Sequence, residues 1–344
     1  MDDFLKANAL DRLCDALSDR LTLEESFALL DEGRPALLAR LKELGVRKPP
    51  DLSAFAKAVA NGRRAVSGAG MPVVVALYSA GVTPEGGRSL MKPILDALAQ
   101  EGFKDSIIFD HHNEPPYDQI PDFDSYVKAL HQKLMTDPLV QSSNRPFIFV
   151  AHSHGSNAAY GLARAVGPKA RLLCVLGRRS PTVELIDDVF GEPTCAGIAR
   201  MPLQTLAIQL GTVYSNDLLR KAAERDSDES KWIKGFRDAA VVAKAQYSSP
   251  VCMCDINDIV AVFGEGVRSD PMAVGAASIL SCPIFAVSGK ETSRGETAEK
   301  MTKWKALTAA EFTLKTFDAT LHMELPRDNG VIQAVVEAAR PYTQ

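Results

Sequence analysis

The sequence predicts an α/β fold in which a mostly parallel central sheet carries helices on both faces. From about residue 71 onward, short β-branched apolar runs alternate with amphipathic helical stretches, a pattern typical of strands buried between two helical layers. Hydrophobic residues make up 46% and charged residues 24% of the 344 residues, as in ordinary globular proteins. The net charge of −4 argues against nucleic acid or an anionic membrane as the main partner.

Six apolar runs are the predicted strands, and helical stretches such as SLMKPILDALAQ and FDSYVKALHQKLM separate the earlier ones. In chain order the runs are PVVVALYSAG, SIIFDHHNEPP, PFIFVAHSHG, RLLCVLGRR, CPIFAVSGKE and FTLKTFDATLH. About 100 residues between the fourth and fifth runs lack a strand pattern but contain amphipathic helical stretches. Because an ordinary loop is much shorter, we interpret this region as an inserted helical lid at about residues 182–270.

The chain is predicted to divide into a helical region, residues 1–66, and a body, residues 70–344. Pro35 is suited to open a helix that Gly45 closes, and the glycine-containing segment SGAG reads as a linker. The stretch ALLARLKELGVRKPPDLSAFAKAVA resembles the closing helices of a sterile-alpha-motif interaction domain. The region is therefore either an interaction module or a helical cap packed on the body.

Several classes of protein are excluded by the same sequence. The six cysteines have no disulfide-framework spacing, which favours reduced thiols, and Cys252 and Cys254 lack the second pair of ligands that a zinc site needs. The start, MDDFLKANALDRL, is acidic and amphipathic rather than a signal peptide. No apolar run approaches the 18 residues of a membrane span. We expect a soluble, cytoplasmic protein.

The strongest chemical signal follows the third predicted strand, where Ala151-His152-Ser153-His154-Gly155 leads into a helix. This is the nucleophile-elbow pattern G-x-S-x-G with alanine in place of the first glycine. The flanking residues must be small because the strand turns sharply into the helix and the backbones nearly touch. The pattern predicts Ser153 as a nucleophile at the carboxyl edge of the sheet, with the helix N-terminus stabilising negative charge.

His322 is the predicted base for this serine. In such a fold the base follows the nucleophile and the acid along the chain, and His322 comes just after the last predicted strand. His152 and His154 adjoin Ser153 in sequence and cannot readily reach back to its hydroxyl. His154 is instead predicted to give its backbone N–H to the oxyanion, as the residue after the nucleophile.

The triad acid and the second N–H donor to the oxyanion are predicted from their positions relative to the predicted strands. Glu291, just beyond the fifth strand, is predicted to orient the imidazole. Glu296 is the alternative, whereas Asp318 is expected to face solvent. The loop after the first strand should supply the other N–H donor, with Ala80 preferred and Ser79 next.

Six segments together resemble the type II thioesterases of polyketide and nonribosomal peptide synthesis, within the α/β-hydrolase superfamily. LYSAG stands at that family's F-P-x-A-G turn, AHSHG at its G-H-S-M-G elbow and GRRSP at its S-G-R-R-A-P turn. FDHHNEPPYDQI keeps the E-P-P of an arginine-containing segment but lacks the arginines, and CPIFAVSGKE with FDATLHMEL matches the closing strands. The segments lie within the body of about 275 residues, 70–344, with the lid poorly matched and the N-terminal region outside the resemblance.

The resemblance implies hydrolysis of acyl thioesters on an acyl carrier protein or on coenzyme A, in polyketide or fatty-acid-related synthesis. It implies acyl transfer to Ser153 with His322 as base, and it requires no metal or redox cofactor. Basic lid residues are candidates to meet an acidic carrier: Arg220, Lys221, Arg225, Lys231 and Lys234. Three alternatives stay open. They are a carboxylesterase or lipase acting on oxygen esters, an enzyme that transfers the acyl group to an acceptor other than water, and a catalytically silent scaffold that acts as a binding module.

Overall fold

The structure is a computed structural model of the whole chain, and it forms two compact units, Met1–Gly70 and Met71–Gln344. In the second unit it describes residues 71–79, 81–110, 120–141, 145–183, 200–213, 216–225, 228, 232, 234–247, 256–290 and 297–343. In the first it describes residues 13, 17, 21, 25, 26, 34–46, 51, 52, 55 and 70.

In the first unit, helix α1 spans Arg34–Glu43. Gly45 follows this helix with φ +95°, the left-handed conformation that a helix C-terminus favours for glycine. Leu37, Leu41 and Phe55 are fully buried. The helix predicted from Pro35 is therefore present. The predicted use of this region for interaction stays a prediction.

The second unit is built on six parallel strands. They are β1 Val73–Leu77, β2 Ser106–Ile108, β3 Phe147–His152, β4 Ala170–Leu176, β5 Ile284–Ser288 and β6 Phe312–Thr316. Their order in the sheet is β2-β1-β3-β4-β5-β6, and every pairing is parallel. All six predicted strands are confirmed.

The described helices of the second unit lie between the strands along the chain and after the last strand. They are α2 Pro84–Gln100, α3 Phe123–Thr136, α4 Pro138–Gln141, α5 Gly155–Val166, α6 Leu203–Val213, α7 Asp217–Arg225, α8 Lys234–Tyr247, α9 Ile256–Phe263, α10 Ala298–Thr302 and α11 Asn329–Ala339. Short 3-10 helices cover Gly167–Lys169, Pro181–Val183, Glu265–Arg268, Ala276–Ser278, Lys303–Leu307, His322–Arg327 and Arg340–Tyr342.

Two cores lie on opposite faces of the sheet because successive side chains of a strand point to opposite sides. Val73 and Val75 of β1 pack in one core with residues of α3 and α5, whereas Val74 packs in the other core with residues of α2 and α11. Because alternate residues of a central strand such as β1 face the two cores, every residue of that strand is buried, which explains its continuous apolar run. The predicted α/β fold, a parallel sheet with helices on both faces, is confirmed.

The helices inserted between β4 and β5 have a core of their own. Side chains from α6, α7 and α8 pack together, with Leu206 and Ala240 fully buried among them. Helical structure is therefore present where the sequence predicts the lid, and its function as a lid stays a prediction. Within the described residues, no helix combines the length and apolarity needed to cross a bilayer.

The strand order determines where a site can form. The chain leaves β1 for β2 on one side and returns to β3 on the other, so the order reverses between β1 and β3. In open parallel sheets, binding crevices form at the carboxyl ends of the strands at such a reversal. Ser153 comes directly after β3 at this point.

Candidate active site

Ser153 lies in a strained turn between β3 and α5. Its φ is +53°, and among the described residues it is the one non-glycine residue with a positive φ. A residue with a side chain in this region costs on the order of 1–3 kcal/mol, and such strain is concentrated at functional sites. The side chain of Ser153 is 3% exposed, and its backbone N–H donates to the carbonyl of Leu176 at 2.8 Å.

Gly155 allows the helix after the turn to approach the sheet. A Cβ atom at this position would lie 2.6 Å from the carbonyl oxygen of Tyr78, much closer than such atoms pack. Ala151, the other flanking residue, is fully buried and pairs with Leu77 on one side and Val175 on the other. The requirement for a small residue at position 155 therefore comes from direct backbone contact with the end of β1.

His322 lies in the same corner of the sheet. It begins a 3-10 helix after β6, is 8% exposed and stacks on His152, with ring centroids 4.8 Å apart. A Cβ atom on Gly177, which has φ +61°, would lie 2.9 Å from Nδ1 of His322. Gly177 follows Leu176, the hydrogen-bond partner of Ser153. The structure therefore brings the predicted nucleophile and the predicted base together around the ends of β3 and β4.

The imidazole of His322 is held in its neutral form. Burial, and then the positive charge of Arg178, lower its pKa from 6.5 to about 3. At neutral pH the ring is therefore unprotonated and can accept a proton. A carboxylate partner is needed to stabilise the imidazolium that results.

Both candidates for that carboxylate, Glu291 and Glu296, lie outside the described residues. The structure does describe β5, which precedes them, and its carboxyl end is close to the loop that carries His322. The backbone N–H of Lys290 donates to the carbonyl of Thr320 at 2.7 Å. Asp318 is exposed, as the sequence predicts.

The predicted oxyanion donors are only partly described. His154 is fully buried at the start of α5, directly after Ser153. Ser79 is 1% exposed at the end of β1, whereas Ala80 lies outside the described residues. Tyr78, just before them, donates its hydroxyl hydrogen to Oδ1 of Asp110 at 2.8 Å. This bond joins the end of β1 to the end of β2.

The arginines of the GRRSP turn are buried beside the site. Arg178 is 1% exposed and Arg179 is 5% exposed. The carbonyl of Arg178 accepts a hydrogen bond from Nε1 of Trp304 at 2.6 Å. The sequence identified this turn by resemblance, but it did not indicate that Arg178 lowers the pKa of His322.

From the sequence, His152 is excluded as the base, and no other role is predicted for it. Its Nε2 lies 2.9 Å from the carbonyl oxygen of His322, although 170 residues separate the two. No spacing or motif in the sequence indicates this contact. Among the described residues, no group of three or more histidine, cysteine, aspartate or glutamate side chains is placed to hold a metal ion.

Similar folds are found among solved structures. The RedJ thioesterase from the prodiginine pathway of Streptomyces coelicolor matches with a TM-score of 0.51 and 17% identity, over 80% of this chain and 91% of RedJ. ClbQ from the colibactin NRPS/PKS pathway matches with a TM-score of 0.50 and 14% identity, over 79% of this chain and 96% of ClbQ. The type II thioesterase BorB from the borrelidin cluster has a TM-score of 0.49 and 19% identity, over 78% of this chain and 93% of BorB.

The chain has the α/β-hydrolase fold. At these identities the likeness concerns the fold, and at that level the predicted resemblance to type II thioesterases is confirmed. No protein-family model matches the sequence, and a search of curated proteins gave no match.

Proposed function

We propose that this protein is a serine hydrolase that cleaves acyl thioesters carried by an acyl carrier protein or coenzyme A. The observation that supports the proposal most is the strained φ of Ser153, a non-glycine residue held in the left-handed region between a buried strand and a helix. A serine in such a turn, with a buried neutral histidine nearby, suits nucleophilic catalysis.

The proposed reaction proceeds in two halves. The hydroxyl oxygen of Ser153 attacks the thioester carbonyl while His322 takes the hydroxyl proton. The C–S bond then breaks, and the thiol leaves with the proton from His322, so that an acyl ester remains on Ser153. A water molecule attacks this ester, again losing a proton to His322, and the carboxylic acid is released as Ser153 regains its proton.

N–H groups at the start of α5 are proposed to stabilise the negative charge that develops during the reaction. The negative charge on the carbonyl oxygen develops as the tetrahedral intermediate forms, and N–H donors at a helix N-terminus stabilise it. His154 is the proposed donor on that side, and Ala80 is the proposed donor from the loop after β1. Glu291 is the proposed carboxylate that stabilises the His322 imidazolium.

The thioester preference is supported by sequence rather than by site geometry. The NEPP and GRRSP segments resemble those of type II thioesterases, and the fold likeness includes the RedJ thioesterase. The same catalytic residues would also serve an oxygen esterase. We place the reaction in the cytoplasm and in polyketide or fatty-acid-related synthesis as part of this proposal.

The proposed carrier contact involves the basic residues of α7. Lys221 and Arg225 are exposed. Arg220 pairs with Glu224 and Asp217 on its own helix, at 3.0 and 3.3 Å. Lys221 and Arg225 are therefore better candidates than Arg220 to meet acidic residues of a carrier.

The test compares wild type with Ser153→Ala and His322→Ala on acyl-pantetheine or acyl-coenzyme A thioesters and on p-nitrophenyl esters. We expect thioester turnover in the wild type and a loss of at least roughly 10³-fold in kcat in each variant. Turnover of oxygen esters alone would support the esterase alternative. A wild type inert on both substrates, with and without an acyl carrier protein, would contradict the proposal.

A further inference from the structure

His152 makes a specific polar contact with the residue proposed as the base. It is the last residue of β3, its side chain is fully buried, and its Nε2 lies 2.9 Å from the carbonyl oxygen of His322. Because a carbonyl oxygen can only accept, Nε2 of His152 must carry the hydrogen. The contact therefore determines the tautomer of His152.

This hydrogen bond links the loop that carries His322 to the strand that carries Ser153. A second bond holds the loop to the end of β5, where the N–H of Lys290 donates to the carbonyl of Thr320. Leu321, which precedes His322, gives no side-chain cap to the 3-10 helix. Loss of the His152 bond would leave the loop attached to β5 through Thr320 but would remove this link between the main chain at His322 and β3.

His152 is not suited to be a second base. Burial, and then the neighbouring His322, hold its pKa well below 6.5. Its ring therefore stays neutral at the pH at which His322 would have to cycle through a charged form, and it adds no positive charge next to that ring. A neutral donor at this place can orient the base without competing with it for the proton.

We propose that His152 is a positioning residue that fixes the main chain and ring of His322 relative to Ser153 through its Nε2–H to carbonyl bond. The inference rests on the proposed function, because it takes His322 as the base. In the G-x-S-x-G pattern His152 occupies an unspecified position, so the sequence pattern alone predicts no role for it.

The experiment compares wild type, His152→Leu and His152→Gln. Leucine fills the site without a donor, whereas glutamine carries an N–H at its own ε position. The readouts are kcat and KM for the best thioester or ester, and the rate at which a fluorophosphonate labels Ser153. The labelling forms an Oγ–P bond, breaks the P–F bond and sends the serine proton to the base, so it needs no carrier.

We expect His152→Leu to lower kcat and the labelling rate by roughly 10- to 100-fold, because a shift of about 1 Å in a catalytic group costs up to about 10²-fold. KM should change little, and His152→Gln should recover most of the rate. Thermal unfolding of both variants shows whether they fold, and histidine ¹⁵N NMR of the wild type reports the tautomer of His152.

The outcomes separate this inference from the proposed function. A folded His152→Leu variant as fast as wild type, a glutamine variant no faster than the leucine variant, or an Nδ1–H tautomer of His152 would each overturn the inference alone. A wild type that neither turns over substrate nor labels at Ser153 would overturn the proposed function and, with it, the positioning role.

Discussion

At the scale of single residues, the candidate site depends on one strained serine and two buried histidines. Ser153 has a positive φ, and His322 and His152 both have pKa values below the ordinary value of 6.5. Each arrangement raises the free energy of the folded chain. Ser153 has a sparsely populated backbone conformation, and burial of the two histidines removes water from their charged forms. Their concentration within one corner of the sheet is what supports a catalytic interpretation.

The sequence indicates where some side chains of the candidate site lie and does not indicate others. Ser153 could be placed because a pentapeptide, a strand and a helix coincide within about 20 residues. His322 could be found by elimination among six histidines. The contact between His152 and His322 could not, because it joins residues 170 positions apart through a main-chain carbonyl that has no sequence signature.

The identity of the acid is a prediction at this scale. Replacing Glu291 with glutamine should lower kcat by roughly 10²- to 10⁴-fold, because the amide cannot stabilise the imidazolium of His322. The matched change, Glu296→Gln, should leave kcat near the wild-type value. Steady-state kinetics of the two variants on one substrate checks this. A larger loss in Glu296→Gln would transfer the role to Glu296.

At the scale of elements, close packing of β1, β3 and α5 determines the geometry of the turn that carries Ser153. The first residue of α5, Gly155, contacts the backbone at the end of β1, so the axis of this helix and the position of Ser153 are determined together. The strand–turn–helix sequence predicted this arrangement, including the need for small residues. It could not predict which strand lies under Gly155, because that depends on the order of strands in the sheet.

Two glycines at the ends of α5 provide a test of this packing: Gly155 is its first residue, and Gly167 directly follows its last residue. Gly155→Ala should reduce the free energy of unfolding by about 1–3 kcal/mol and lower kcat, because the new methyl group pushes the helix away from Tyr78. Gly167, at the other end of the same helix, has φ +56° and open space around its Cβ direction. Gly167→Ala should therefore cost stability through its backbone alone, about 1–3 kcal/mol, because φ +56° with ψ −128° is sparsely populated by residues with a side chain, and it should leave kcat unchanged.

Urea unfolding and steady-state kinetics on the two glycine variants give the comparison. If Gly155→Ala were folded and as active as wild type, the close approach to β1 would not control the position of Ser153. If Gly167→Ala also lost activity, distortion anywhere in α5 would explain both results.

At the scale of the whole molecule, the chain forms two compact units, Met1–Gly70 and Met71–Gln344, and the second contains the sheet. The two sheet cores draw on strands and helices from Val73 to Ala339, and α6, α7 and α8 have their own cluster. The sequence predicted the fold class because strand and helix periods alternate along the chain. The predicted division into a helical region, residues 1–66, and a hydrolase body, residues 70–344, stays a prediction.

The buried histidines predict how the stability of the molecule depends on pH. Below about pH 6.5 the unfolded chain binds a proton on each histidine, whereas folded His322 does so only near pH 3 and folded His152 only well below 6.5. The unfolded state therefore holds more protons in this window. The free energy of unfolding should fall as the pH falls below about 6.5, by up to about 1.4 kcal/mol per pH unit for each histidine that is still neutral in the folded state. For His322 this fall should continue towards about pH 3.

Carboxylates also change the free energy of unfolding at acid pH. Comparison of wild type with His152→Gln isolates the contribution of His152, because the carboxylates are the same in both proteins. As the pH falls below about 6.5, the free energy of unfolding of the variant should decline less steeply than that of wild type, by up to about 1.4 kcal/mol per pH unit. Urea titrations at several pH values measure the difference. Parallel profiles would mean that His152 is protonated in the folded protein.

The central claim, that Ser153 forms an acyl-enzyme, is tested most directly by mass spectrometry of protein quenched with acid during turnover of an acyl-coenzyme A. We predict a mass increase equal to one acyl group, mapped by peptide analysis to Ser153 and absent in Ser153→Ala. An acyl group carried by a different residue, or undiminished turnover in Ser153→Ala, would contradict the account.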